Sequence, residues 1–572
     1  MLDTIIRGGS VVDGTGTAPF TADVGIRDGK IVEVGTLAGP AHRVIDATGL
    51  YVTPGWLDIH THYDGQATWD PELDPSFSSG VTTAIMGNCG VGFAPVREGM
   101  QERLIELMEG VEEVPGTALH VGMDWRWNTF PEYLDALDSM DRTFDVGCLI
   151  PHGPLRLWAM GNKVGTDKCA SGDDLALMVD QVEQGMKAGA FGLATSRSPV
   201  HRTTRGEMTP DFHVDLPELV ALTRPVMEHG GYFQVVPEGI AGENAEGLRR
   251  DMALIEDVVK ETGVDLHVLM HQLSGEPEHY KQQFEQLDRM SKKGKAIAQF
   301  GGRSAGAILG FLGTNPFLNT PTFQQVIQQP IETWLEQLAR PEIKARILSE
   351  NNAPGTLGEM FTGAMERFFD LGEDLDYEPA PERSLAALAR ETGKSLPETI
   401  YDFMLEHSER PRTYITFTNY AHGDLEAVRA AMQLDNVVLS SSDVGAHVLT
   451  VCDGSINTFM LTHWCRDRKR GPKVLLEQVV HWMTQKCARS IGLYDRGAIA
   501  PGMKADINVF GLDDLKVHAP RYHADLPSGA RRIMTRTTGY RATMVSGVIT
   551  RENDEATGAR PGRLVRYSRQ AR

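Results

Sequence analysis

Over the first fifty residues apolar and polar positions alternate in short runs, DTIIRGGSVVDG, TADVGIRDGKIVEVG and HRVIDATGLYVTPG, separated by Gly and Asp turn signals at hairpin spacing. A period of two predicts strands, here a small antiparallel β unit. From Trp56 the pattern changes. Strand-like runs at Leu57 to Thr61, Val81 to Met86, Val146 to Ile150, Phe191 to Thr195, Tyr232 to Val236, Leu266 to Met270 and Ala296 to Phe300 alternate with three-and-four spacing. DDLALMVDQVEQGMKAGA and EGLRRDMALIEDVVKETG are two such helical stretches, each running into a glycine stop. This rhythm predicts βαβ units around a parallel barrel, with an eighth strand in NVVLSSSD, ending at Asp443.

Between the seventh and eighth runs lies a long interruption, Gly301 to Arg412, rich in Pro, Phe, Met and helix formers. An insertion of that size among the late strands of a barrel predicts a lid, because barrel sites are built from the loops that follow the strands. Beyond the helical stretches near Ser455 to Asp467 and Val474 to Ile491, period-two strands return in GLYDRGAIAPGMKADINVF and YRATMVSGVITREN. The two chain ends are therefore expected to pair into one β domain beside the barrel.

With 572 residues, 41% hydrophobic and 23% charged, the chain has globular composition and room for two or three structural units. No apolar run approaches the ~18 residues of a membrane span, and the first residues lack a basic-then-apolar export signal, so cytoplasmic residence is expected. A net charge of -21 argues against duplex nucleic acid as a partner. The basic tail ARPGRLVRYSRQAR reads as a surface strap. Six scattered cysteines predict free thiols.

Candidate chemistry gathers at the ends of the predicted strands. In LDIHTHYDG, His60 and His62 share one face of a strand with Asp58, while Leu57, Ile59 and Thr61 take the other. Two imidazoles directed into a barrel are satisfied by a divalent metal, with Asp58 as their orienting partner. Cys89, between Asn88 and Gly90 at the end of the second strand, would add a thiolate, and sulfur with nitrogen favours zinc. His271 closes the sixth strand and Asp443 the last, so both reach the same rim.

PGWLDIHTHYDG, GVTTAIMGNCG, SSSDVG and GLYDRGAIAPGMKADINVF together resemble the amidohydrolase superfamily, specifically its N-acyl-D-amino-acid deacylase (D-aminoacylase) branch, over nearly the whole chain. The resemblance implies an α/β fold: a metal-dependent (β/α)8 TIM-like barrel with a small β-sandwich domain formed from both termini and a helical lid. The expected organisation is β-sandwich at 1–54, barrel at 55–300, lid at 301–412, barrel at 413–492, and the rest of the β-sandwich with the tail at 493–572. By motif match His60, His62, Cys89, His271 and Asp443 hold zinc, and Asp443 is the general base that returns a proton to the leaving amine. His152, in IPHGPLR, matches a position able to donate to the substrate carbonyl, or else holds its own loop.

Two departures from the family pattern qualify these expectations. The fifth strand, GGYFQVVPEG, has Gln234 and Glu238 but no histidine, which leaves one zinc, or a second held weakly by a substitute such as Glu238. After His271 come Gln272 and Leu273 instead of a carboxylate-gripping lysine; Arg197 and Arg303 are the alternative clamp, or else loop ion pairs. Trp69, Trp125 and Trp127 are candidates to line an apolar pocket. The expected activity is zinc-dependent hydrolysis of a non-peptide C–N bond in a small-molecule amide. The alternatives are hydrolysis of a cyclic amide or lactone, and a degenerate barrel kept as a scaffold. Self-association into a homo-oligomer is left open.

Overall fold

The computed structural model describes residues 1–165, 169–439, 441–450 and 453–568. Cys452, Ser440 of the predicted eighth strand and the last four residues of the basic tail lie outside the described residues. Eight parallel strands follow one another in the predicted order. Strand one is Trp56–Asp58 and His60–Thr61, strand two Val81–Met86, and strand three Asp145–Cys148 and Ile150–Pro151. Strands four to seven are Gly192–Ser196, Tyr232–Val236, Asp265–Leu269 and Ala296–Gln299; strand eight is Val437–Val438 and Ser441–Val444. Each pairs with the next, and strand eight returns to strand one at Ser441↔His60 and Val444↔Thr61, so the sheet closes.

Closure aims the carboxyl end of every strand at one rim. Leu57, Ile59, Ile85, Leu149, Ala194, Tyr232 and Val438, from strands one to five and eight, pack in one cluster with Cys487, Ala488 and Ile491 of the last helical stretch. A concavity of about 970 Å³ opens at the other end, among the loops entering strands five to eight.

The chain ends join one nine-stranded sheet, in which Ile507–Phe510 pairs antiparallel with Tyr51–Pro54. The expected purely antiparallel N-terminal unit needs correction. Leu2–Val11 pairs antiparallel with Phe20–Arg27 but parallel with both Ala41–Asp46 and Tyr51–Pro54. Period-two patterning fixes which face a side chain takes but not which strand lies alongside.

Within the insertion, Ala305–Leu309 and Phe368–Asp370 pair antiparallel with Thr413–Thr418, and helices such as Leu396–Glu406 pack on them through Phe311, Phe317, Phe323, Ile400 and Tyr401. Thr413–Thr418, just past residue 412, is thus the central strand of the insertion's sheet. The C-terminal part also reaches away from its sheet. The hairpin Arg521–His523/Arg532–Met534 meets the barrel rim, where Ile533 N–H donates to the Val448 carbonyl and Arg532 to that of Asp74. The tail crosses the barrel's side, Val565 N–H donating to Val146 and Tyr567 N–H to Gly189.

A buried ion cluster ties the insertion to the barrel. Arg468 grips Glu378 with two bonds of 3.0 Å, reaches Glu426 at 2.9 Å and lies 4.5 Å over the Trp464 ring, while His463 Nε2 stands 3.2 Å from Glu378. Burial would raise the Glu378 pKa, but His463 and Arg468 bring it down to about 2. A carboxylate depressed in the folded state contributes stability at neutral pH, and that contribution fades as pH falls from 4.5 toward 2. Arg468→Met leaves Glu378 with only His463 and the Leu425 N–H and is expected to cost about 3–5 kcal/mol in urea unfolding at pH 7. A cost below ~1 kcal/mol, the range of exposed pairs, would show that the cluster does not hold the insertion down.

Candidate metal centre

At the rim the Nε2 of His60, a ring nitrogen of His62, the Cys89 sulfur and an Asp443 oxygen form a group in which one ligand atom per residue lies within 4.8 Å of all the others. His60 Nε2 is 3.2 Å from Cys89 Sγ and 3.0 Å from Asp443 Oδ1, and His62 Nε2 is 3.6 Å from the same oxygen. Both imidazoles are buried, whereas the Asp443 side chain is 33% exposed. Asp443 therefore forms the solvent-facing edge of the group.

Each donor is delivered by a specific local feature. Gly87 is left-handed (φ 84°), and a Cβ there would stand 2.3 Å from the Leu149 carbonyl oxygen, so the turn lies directly against strand three. Cys89 (φ 55°) and Asp443 (φ 50°) are themselves left-handed non-glycine residues. Such backbone costs roughly 1–2 kcal/mol per residue and persists where its surroundings enforce it. The Asn88 amide enforces it on one side, donating to the Thr61 and Ile85 carbonyls, and Gln234 on the other, its Oε1 accepting the Cys89 N–H at 3.1 Å.

The imidazoles are oriented by side chains that sequence patterning does not single out. Gln299 Oε1 lies 2.7 Å from His60 Nδ1; an amide oxygen there accepts the Nδ1 proton, which leaves the Nε2 lone pair facing the sulfur and Asp443. Its signal in the sequence was a lone polar residue inside the apolar run AIAQF. His62 Nδ1 stands 3.5 Å from Glu112, and neither His62 nitrogen has a hydrogen-bond partner. Asp58 does not take the expected role. It is bonded to neither imidazole: it accepts the His60 backbone N–H and the Ser442 hydroxyl, and lines a 10 Å³ cavity with Leu439, Asn457 and Met460.

The group is short of positive charge. Burial, reinforced by Glu112, Asp443, Asp211 and Asp64, pushes the Cys89 thiol well above its ordinary range. Desolvation acts against Asp443 ionising, yet His60 and His62 hold its carboxyl well below the usual range. Burial disfavours a charged His62, but Glu112 and Asp443 raise it nonetheless. Two imidazoles, a thiol and a carboxylate beside further acids, with buried nitrogens lacking partners, fit a divalent cation of the zinc type, which satisfies all four donors together.

The remaining candidates fall outside the group. His271 closes strand six with its ring bonded to the Ile240 carbonyl and edge-on to Phe300; burial lowers its pKa to about 4, and Asp443 and His60 are close enough to act on it. Gln272 is structural, its Oε1 accepting the Ala421 N–H. Both His152 nitrogens are engaged at 3.0 Å, one by Thr195 and one by Glu218. Arg197 is bound by Asp251 at 3.0 Å and by the Val214 carbonyl, and Arg303 is buried with its guanidinium 3.9 Å over Tyr377. Glu238 is held by Asn244 and Arg250. Trp125 and Trp127 pack on Phe93 and Tyr133.

A model of the amidohydrolase family matches residues 43–551, and the chain belongs to that family. It is 30% identical over 234 residues to a D-aminoacylase of Alcaligenes xylosoxydans xylosoxydans, a match spanning 40% of this chain and 43% of the relative's length. A solved D-aminoacylase structure shares the fold at TM-score 0.65 and 24% identity, covering 99% of this chain and 100% of that one. The N-acyl-D-glutamate deacylase of Bordetella bronchiseptica, solved with zinc and a phosphonate inhibitor, does so at TM-score 0.64 and 23% identity, covering 99% of each chain.

Gly90 provides a test of how tightly the thiol turn is built. A Cβ on Gly90 would meet Asp211 Oδ2 at 2.2 Å and the Ser196 nitrogen at 2.9 Å, whereas Gly99, equally left-handed, has nothing within 4 Å. Gly90→Ala is expected to destabilise by about 1–3 kcal/mol more than Gly99→Ala, the usual cost of overpacking. Equal shifts of the two variants in thermal unfolding would mean that the turn is not packed as described.

Proposed function

We propose that this amidohydrolase-family chain is a zinc-dependent hydrolase of non-peptide C–N bonds, acting on linear N-acylated amines or D-amino acids. The observation that carries the reading is the convergence of His60, His62, Cys89 and Asp443 at the carboxyl rim of a closed barrel. A cation held by these residues supplies Lewis acidity and lowers the pKa of water toward about 7. His60, held by Gln299, and His62 fix the geometry. Asp443, at the exposed edge and kept ionised by the imidazoles, takes a proton from the attacking water. As the C–O bond forms and the C–N bond breaks, the same carboxyl returns that proton to the departing nitrogen.

One metal is favoured over two. Where the strand-five ligand is expected, Gln234 already accepts the Cys89 N–H, and the substitute Glu238 is held by Asn244 and Arg250. His271 lies nearby and is kept neutral by burial, which suits a further nitrogen donor after a modest shift. The insertion acts as a lid, and its buried tether at Glu378 and Arg468 supports that reading. A second reading, hydrolysis of a cyclic amide or lactone at the same residues, draws support from Arg197, whose guanidinium is taken up by Asp251 and Val214 instead of reaching toward the group.

Purified protein is expected to carry about one zinc per chain and, in a screen of N-acyl-D-amino acids, cyclic imides and lactones, to cleave the first class fastest. Asp443→Asn is expected to lower kcat/KM by about 10²–10⁴-fold, the span of general-base catalysis. A zinc-free chain, or an Asp443→Asn variant as active as the parent, would overturn the assignment. Faster turnover of imides or lactones would replace it with the second reading.

A further inference from the structure

The sequence VEEVPG places Glu112 and Glu113 at the carboxyl end of helix Gln101–Glu112, whose last turn holds no basic residue. Acids there oppose the helix dipole, which favours cations at that end. Glu112 is also 1% exposed, and a buried carboxylate is costly unless its surroundings use it. Two unfavourable placements in one residue point to contacts that need it.

Those contacts run from the candidate metal centre to the insertion. Glu112 Oε1 is 3.5 Å from His62 Nδ1, and both atoms are buried with no hydrogen-bond partner. Oε2 is 3.5 Å from His447 Nε2, and the Glu112 carbonyl accepts the His447 backbone N–H. His447 Nδ1 lies 3.2 Å from Glu113, which accepts the Thr450 hydroxyl at 2.6 Å, and the Thr450 and Thr314 hydroxyl oxygens, the latter from the insertion, are 3.1 Å apart.

The loop so held is the one that carries Asp443. It contains three left-handed residues, Asp443 (φ 50°), Gly445 (φ 94°) and His447 (φ 48°). It also lies flat on His62: the His62 N–H donates to the Val444 carbonyl at 2.8 Å, and a Cβ on Gly445 would be 2.7 Å from the His62 carbonyl carbon. A loop in that conformation needs an outside restraint.

We propose that Glu112 is a positioning residue for the metal centre, orienting His62 through Nδ1 and, by way of His447, fixing the strand-eight loop that presents Asp443. His60 and His62 then each face an acceptor oxygen at Nδ1, bonded at 2.7 Å for His60 and standing 3.5 Å away for His62, which leaves Nε2 for the cation. The acceptor is a neutral amide for His60 and a carboxylate for His62, which makes His62 the more basic donor. The inference rests on the reading that the group holds a metal, and its test separates the two.

Zinc affinity is measured on the full chain by competition with a chromogenic chelator, and the visible spectrum is recorded on the cobalt-substituted protein. Glu112→Gln is expected to weaken zinc binding about 10–100-fold and to change the cobalt spectrum, the scale of losing a partner behind a ligand histidine. Glu106→Gln, on the same helix but paired with Arg205, is expected to change neither. Should Glu112→Gln fail to fold, His447→Asn keeps a residue that tolerates left-handed backbone while releasing the loop, and is expected to weaken zinc by about tenfold. Parental affinity and spectrum in Glu112→Gln, or parental affinity in His447→Asn, overturns the proposal with the metal reading intact. A parent chain that binds no zinc overturns both.

Discussion

The constraint on which the rest depends is the concentration of imidazole, thiol and carboxylate groups in a place largely closed to water. His60, His62 and Cys89 are buried, Glu112, Asp211 and Asp64 are buried around them, and Asp443 forms the partly open edge. Removing like-charged or chargeable groups from water is expensive without a compensating cation. The electrostatics follow from that deficit: the thiol is pushed up, while Asp443 is held down only because two imidazoles lean on it.

Barrel closure brings these groups together. His60 and Asp443 are nearly four hundred positions apart in the chain yet belong to adjacent strands, because strand eight pairs back to strand one. The turns then do the fine placement. Cys89 and Asp443 both adopt left-handed backbone, enforced by Asn88 and Gln234 in one case and by the packing of the 443–447 loop on His62 in the other. Strain of this kind is sustained by neighbours, so the surrounding loops are part of the site's architecture.

Parts of the chain far from the barrel strands also converge on this rim. The insertion has its own core but is tied back by Glu378 and Arg468 and touches the strand-eight loop at Thr314. The hairpin at 521–534 leaves the terminal sheet and bonds to Asp74 and Val448. Loops after strands one and eight are thereby pinned from outside, which suits a site whose donors must hold their spacing before any substrate arrives.

The sequence by itself determined the eight barrel strands to within a residue or two, the joining of the two chain ends, and the meeting of His60, His62, Cys89 and Asp443. Period-two patterning and residues placed at strand ends are local signals, and a parallel barrel turns strand ends into one rim. Tertiary structure alone decided the rest. It bonded Asp58 to the His60 backbone N–H; it paired Leu2–Val11 parallel to Ala41–Asp46; it engaged His152, Arg197 and Glu238 with neighbouring side chains. It also set Gln299 and Glu112 behind the imidazoles. Such partners come from distant segments and are chosen by distance and desolvation, and neither quantity exists until the chain has closed on itself.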